Sequence, residues 1–296
     1  MGCTGRRMAA VLLMLAVAVS FCACGAQEPA VPLQTNRPQT LQPHKPAPTP
    51  KPPQQEEAKP EAAENVPERA GEESAPTADS GQQKRYRIVI DPGHQLRGDY
   101  ETEPIGPGAE QQKARVSSGT RGSYTGYAEH ALNLEVSLYL REELLSRGYE
   151  VFLTREEADV SISNGERAEL ANALGADAFV RIHANGSEDP DRHGAMTICM
   201  TPDNPYHPEV YAQSRALSDA VLDALCAATG AAKEYVWETD TMSGINYCEV
   251  PVTIVEMGYM TNQAEDERLA DPAYQQLMAR GIADGIDAFL GGGSEA

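Results

Sequence analysis

From Arg85 onward the sequence predicts an α/β fold: a single open, mainly parallel twisted sheet with helices on both faces. Two observations predict it. Short β-branched runs closed by turn signals alternate with longer stretches whose apolar residues recur at helical spacing. A strand, then a helix, then another strand is the connection that a parallel pair requires. A third observation bounds the domain. Of the 21 prolines, 12 fall between Gly25 and Lys84, so the folded part begins after them.

The elements follow in order. Tyr86–Asp91 is a β-branched run stopped by Pro92-Gly93, which reads as a buried strand. The next regular stretch is a helix over Glu129–Arg147, with Leu132, Val136, Tyr139, Leu140 and Leu144 at helical intervals. Tyr149–Thr154, Ala178–Ile182, Ala195–Met200 and Val252–Val255 read as further strands. Asn164–Leu174, Pro208–Ala228 and Asp271–Leu290 read as helices between and after them, and 292–296 as a tail. Two connections, Gln95–Ala128 and Thr229–Val250, far exceed the usual loop of about 4 to 6 residues. Loops of that length are functional or disordered.

The first 84 residues carry different information. Arg6 and Arg7 precede an apolar run, Met8–Phe21, too short to span a bilayer but of the size of a signal-peptide core. It ends in Phe21-Cys22-Ala23-Cys24-Gly25, which resembles the bacterial lipoprotein signal and makes Cys24 the lipidated mature N-terminus after removal of 1–23. Phe21 and Cys22 are unusual there, and the competing reading is plain secretion with cleavage near Ala23 or Ala26. Residues 24–84, rich in Pro, Gln, Glu, Ala and Lys, cannot bury enough apolar surface to fold and form a tether. The chain is thus expected to be exported and anchored through lipid to the outer face of the bacterial cytoplasmic membrane. Cys199, Cys226 and Cys248 remain, with no CxxC spacing, and read as buried small hydrophobes.

Charge excludes one class of partner. From Arg85 onward, 16 Lys and Arg face 35 Asp and Glu, a net −19 of the chain's −20. So acidic a domain repels a phosphate backbone, and there is no GxxxxGK[ST] run. Nucleic acid and nucleotides are not its ligands.

In an open parallel sheet the ligand site lies at the carboxyl ends of the strands. His94 follows the first strand, His183 follows Ala178–Ile182, Glu256 follows Val252–Val255, and Glu129 opens the first helix on the same edge. Two imidazoles and one carboxylate are what a catalytic zinc takes, and a second carboxylate left unligated can act as base. The other histidines fit less well. His44 lies in the tether, His130 points about 100° around the helix from Glu129, and His207 precedes a helix. His193, in the loop after His183, is the rival.

Four stretches now align: Ile88-Val89-Ile90-Asp91-Pro92-Gly93-His94, Glu129 ahead of Leu132-Asn133-Leu134, Arg181-Ile182-His183-Ala184-Asn185, and Val255-Glu256-Met257-Gly258-Tyr259-Met260-Thr261-Asn262. In this order, with Thr154-Arg155 and Glu166-Arg167 between them, they resemble the zinc-dependent N-acetylmuramoyl-L-alanine amidases, cell-wall hydrolases with the amidase 3 domain. The resemblance covers Tyr86 to Leu290. It implies a phosphorylase/hydrolase-like sheet, a Zn²⁺ held by His94, Glu129 and His183, and Glu256 as the catalytic carboxylate. The substrate it implies is peptidoglycan, cut between N-acetylmuramic acid and L-alanine. Arg181 stands where the family usually has serine, and is expected to point away from the ligand side of its strand. The Gln95–Ala128 connection is longer than usual.

That connection carries Arg97, Lys113, Arg115 and Arg121, of which an Arg could clamp a stem-peptide carboxylate, and substrate contacts are expected from Arg97, Arg121 and Asn185. Tyr235, Trp237, Tyr247 and Tyr259 could stack on substrate or belong to the core. Two other functions would use the same fold: a non-catalytic peptidoglycan-binding or regulatory lipoprotein, and a zinc peptidase cutting within the stem peptide. A protein activator acting on the long connection is compatible with either kind of hydrolase.

Overall fold

The computed structural model describes residues 85–291. The signal segment, the tether with Cys24 and the 292–296 tail lie outside the described residues. A six-stranded sheet forms the centre, made of β1 (Arg87–Pro92), β4 (Glu150–Leu153), β5 (Ala178–Asn185), β6 (Ala195–Cys199), β7 (Lys233–Glu238) and β8 (Val252–Tyr259), in the spatial order β4-β1-β5-β8-β6-β7. Every neighbouring pair is parallel except β6 with β8. The sheet is therefore mainly parallel, with helices on both faces.

Alternation along the strands divides the core in two. Ile88, Ile90, Val180, Ile182 and Val255 face one side, where they meet α1 (Glu129–Ser146), α3 (Tyr211–Thr229) and α6 (Pro272–Gly291). Val89, Phe179, Val252 and Ile254 face the other, beneath α2 (Asn164–Leu174) and the short α4 (Ser243–Asn246). Strands covered on both faces read as continuous apolar runs, which is why they were visible in the sequence. Helices α3 and α6 lie very close, since a Cβ on Gly285 would come within 2.5 Å of the Val221 Cα. Helix α2 begins at a capping box between Ser163 and Glu166 and ends at Gly175 in the left-handed region.

The two long connections are not featureless loops. The first contains an antiparallel hairpin, β2 (Asp99–Pro104) with β3 (Gln112–Val116). The second contains β7 and α4. A further helix, α5 (Gln263–Leu269), starts at an Asn262 cap. No helix among the described residues is long and apolar enough to cross a membrane.

Candidate metal centre

The centre is built where β1, β5 and β8 end and α1 begins. His94 lies two residues beyond β1, after Pro92-Gly93 has broken the strand. Among the described residues it is the one non-glycine with a positive φ, 61°. Such a conformation costs about 1 to 3 kcal/mol and persists only where the surroundings enforce it. Two buried arginines enforce it: Arg167 donates to the carbonyls of Pro92 and His94, and Arg155 to those of Pro92 and Gly93.

His183 and Glu256 lie within β5 and β8, where the sequence predicts them just after these strands, because both strands run on past the apolar stretch. The two residues sit opposite each other in the ladder. Glu129, the first residue of α1, reaches under both histidines. Its Oε1 lies 3.0 Å from His94 Nε2 and 3.2 Å from His183 Nδ1, and those two nitrogens are 3.1 Å apart. One ligand atom from each of the three residues falls within 4.8 Å of the others, the spacing of a shared cation.

Protonation suits that reading. His94 Nδ1 is 2.9 Å from the Ser117 carbonyl, which can only accept, so Nδ1 donates there and Nε2 is turned to Glu129. Burial pulls His183 down to about 4, leaving it neutral at pH 7. Burial alone would raise Glu129, but hydrogen bonds from His183 and His94 outweigh it and hold the carboxyl well below its ordinary range. Backbone N–H groups of Thr120 and Ala184 and the Asn133 amide also donate to it. Burial, reinforced by the Glu129 charge, raises Glu256 to about 8. Its Oε2 is buried without a hydrogen-bond partner, as is His183 Nε2.

The space around these groups is shaped by glycine. A Cβ on Gly93 would lie 2.3 Å from the His183 ring, and one on Gly119 would lie 2.7 Å from Glu129 Oε2. Beside the centre opens a pocket of about 250 Å³ bordered by His94, His183, Glu256, Lys113, Arg181 and Ser243. A larger concavity of about 710 Å³ lies elsewhere, lined by Tyr86, Ala216 and Phe289 with none of the clustered ligands.

The N-acetylmuramoyl-L-alanine amidase family model matches residues 88–288, more than half of the chain and a span that includes His94, Glu129, His183 and Glu256. The chain belongs to this family. It is 27% identical over 207 residues to an N-acetylmuramoyl-L-alanine amidase of Mycobacterium tuberculosis, covering 69% of this chain and 86% of that one. It is 28% identical to the amidase LytC of Bacillus subtilis over 68% of this chain but only 35% of LytC. Among solved structures, the amidase Ami1 of Mycobacterium smegmatis superposes with a TM-score of 0.63 at 28% identity, covering 70% of this chain and 97% of that one.

With the family settled, the remaining sequence-predicted residues can be placed. His193 is not brought to the centre, because its Nδ1 turns back to the Asp191 carbonyl. Arg97 pairs with Asp159, Arg115 with Asp99 and Glu166, and Arg121 donates to the Gly126 carbonyl. None of the three borders the pocket; Lys113 does. Asn185 closes β5, with its Oδ1 accepting from the Gly186 N–H. Tyr259 is buried, whereas Tyr235 and Trp237 stand exposed on edge strand β7.

One expectation is corrected. Arg181 does not point away from the ligand side, since residues two apart on a strand share a face and 181 stands two before 183. It borders the pocket and binds Asp91 at 2.8 Å and Asn164 at 2.8 Å. Gly244 lets it in, since any Cβ there would overlap the guanidinium. Arg155 and Arg167, which shape the His94 turn, were visible in the sequence only as matching stretches; their role needed the fold.

Proposed function

We propose that this enzyme hydrolyses the amide joining the lactyl group of N-acetylmuramic acid to L-alanine in peptidoglycan, with zinc held by His94, Glu129 and His183 and Glu256 handling the proton. One observation carries the reading: three ligand atoms within 4.8 Å of one another, with Glu256 on the adjacent strand, in a chain matched to the amidase family over residues 88–288. The donor set fits zinc, as two imidazoles and one carboxylate leave a fourth position open. When bound, zinc makes water acidic enough to attack near neutral pH and withdraws charge from a carbonyl oxygen.

The chain's own residues do the rest. Glu129, oriented by Thr120, Ala184 and Asn133, is held ionised and cannot swing away. Glu256, whose Oε2 has no competing partner, in its ionised form takes a proton from the attacking water and returns it to the departing alanine nitrogen. His94 is locked by the Ser117 carbonyl and by the arginines behind its turn.

The test is the identity of the bond cut. Purified wall digested with the protein is expected to yield peptides with new N-terminal alanine and glycan strands bearing free lactyl carboxylates. New termini within the stem peptide would instead identify a peptidase. For location, we propose export and lipidation at Cys24, which would place the domain at the outer face of the membrane, within reach of the wall. Cys24→Ala is expected to release the protein into the medium and to abolish incorporation of labelled palmitate.

A further inference from the structure

The pocket beside the centre has a wall whose chemistry the hydrolytic machinery does not use. Lys113, on β3 of the long hairpin, borders it, and its Nζ donates to the Thr241 carbonyl at 2.8 Å. Among the described residues no carboxylate lies within ion-pair distance of Lys113, in a domain where Asp and Glu outnumber Lys and Arg twofold. Glu256 is the one carboxylate on the pocket border, and no ion pair joins it to Lys113. Arg181 and Arg167 share the single carboxylate of Asp91, so that group already carries one surplus positive charge. Ser243 borders the same pocket, 1% exposed, and its hydroxyl has no hydrogen-bond partner. A buried hydroxyl is rarely left unpaired unless something else completes it.

An ammonium with no carboxylate partner and an orphan hydroxyl in one pocket complement a carboxylate. We infer that Lys113 and Ser243 form a subsite for a carboxylate on the peptide side of the scissile amide, which makes Lys113 a specificity determinant. This deepens the proposed reaction and rests on it for the choice of ligand. The lactyl carboxyl of the muramoyl half is consumed in the amide, so in the intact substrate the free carboxylates near the cut belong to the stem peptide. Of the four cations in the hairpin connection, Arg97 and Arg115 are tied to acidic side chains and Arg121 to a carbonyl, all outside the pocket border.

The experiment compares a muramoyl-alanyl peptide whose next residue bears a free α-carboxylate with its α-carboxamide twin. Turnover is measured for wild type, Lys113→Met, Lys113→Arg and Ser243→Ala. Equilibrium binding of both twins is measured on Glu256→Gln with and without Lys113→Met. Wild type is expected to favour the carboxylate about 10- to 100-fold, mainly in KM, as a hydrogen bond to a charged group would give. Lys113→Met should erase the preference, Lys113→Arg should keep most of it, and Ser243→Ala should lose part. Equal binding and turnover of the twins by wild type would overturn the subsite. So would equal losses on both twins in Lys113→Met, since that marks an anchor holding the hairpin to Thr241. If neither twin is cut but binding still discriminates through Lys113, the proposed reaction fails and the subsite stands.

Discussion

Asp91 shows how one residue organises the centre from behind. It is fully buried and accepts from Arg167 at 2.6 Å, from Arg181 at 2.8 Å and from the Thr154 hydroxyl. Burial works to raise its pKa, but the two guanidiniums and the hydroxyl outweigh it and hold the carboxyl below the carboxylate range. Because the folded value is depressed, the stabilisation is complete above the unfolded value of about 4 and is lost as pH falls below it. Asp91→Asn leaves two buried cations short of a partner and should cost about 3 to 5 kcal/mol in urea melts at pH 7. The same variant should show a flatter loss of stability below about pH 4 than wild type. Gly93 makes a sharper prediction. In Gly93→Ala the new methyl group would meet the His183 ring at 2.3 Å and push that ring aside. Competition with a chelator should show zinc affinity lowered about 10- to 100-fold, the range for losing ligand support, with the circular dichroism spectrum intact.

At the level of elements, legibility followed burial. The strands β1, β5 and β8 carry apolar runs covered on both faces, so the sequence marks them and also marks the edge where His94, Glu129, His183 and Glu256 meet. Strand β2, Asp-Tyr-Glu-Thr-Glu-Pro, has no apolar pattern and exists through its pairing with β3, which only tertiary structure supplies. In β7 the exposure alternates residue by residue, a period-two signal hidden inside what looked like a loop. The reversed direction of β6 also had a trace in the sequence. Nine residues separate Asn185 from Ala195, fewer than the dozen or so that a parallel crossover needs. The inward turn of Arg181 was legible from strand alternation, whereas its accommodation depends on Gly244 of a distant segment. Where α3 and α6 meet, Gly285→Val is expected to force the helices apart. Overpacking of this kind should lower stability by about 1 to 3 kcal/mol in thermal or urea unfolding, without changing zinc content.

Across the whole molecule, an acidic domain places one cation without a carboxylate partner, Lys113, on the border of the pocket beside the centre. The net −19 from Arg85 onward argues against phosphate polymers as ligands, while Lys113 offers one positive group at the pocket. A metal bound at the centre would couple fold to metal, because Glu129 of α1, His183 of β5 and the turn after β1 come from separate parts of the chain. Stripping the metal should therefore abolish hydrolysis and lower the melting temperature, and zinc should restore both. At a thousandfold excess over Kd the restored stability would be about 4 kcal/mol. The most direct test of the central claim sets zinc stoichiometry beside release of N-terminal alanine from purified wall for wild type, His183→Ala and Glu256→Gln. The account predicts one zinc and full activity in wild type, loss of both in His183→Ala, and retained zinc without activity in Glu256→Gln. A Glu256→Gln protein that still cuts the wall, or a wild type that cuts it without bound metal, would contradict the assignment.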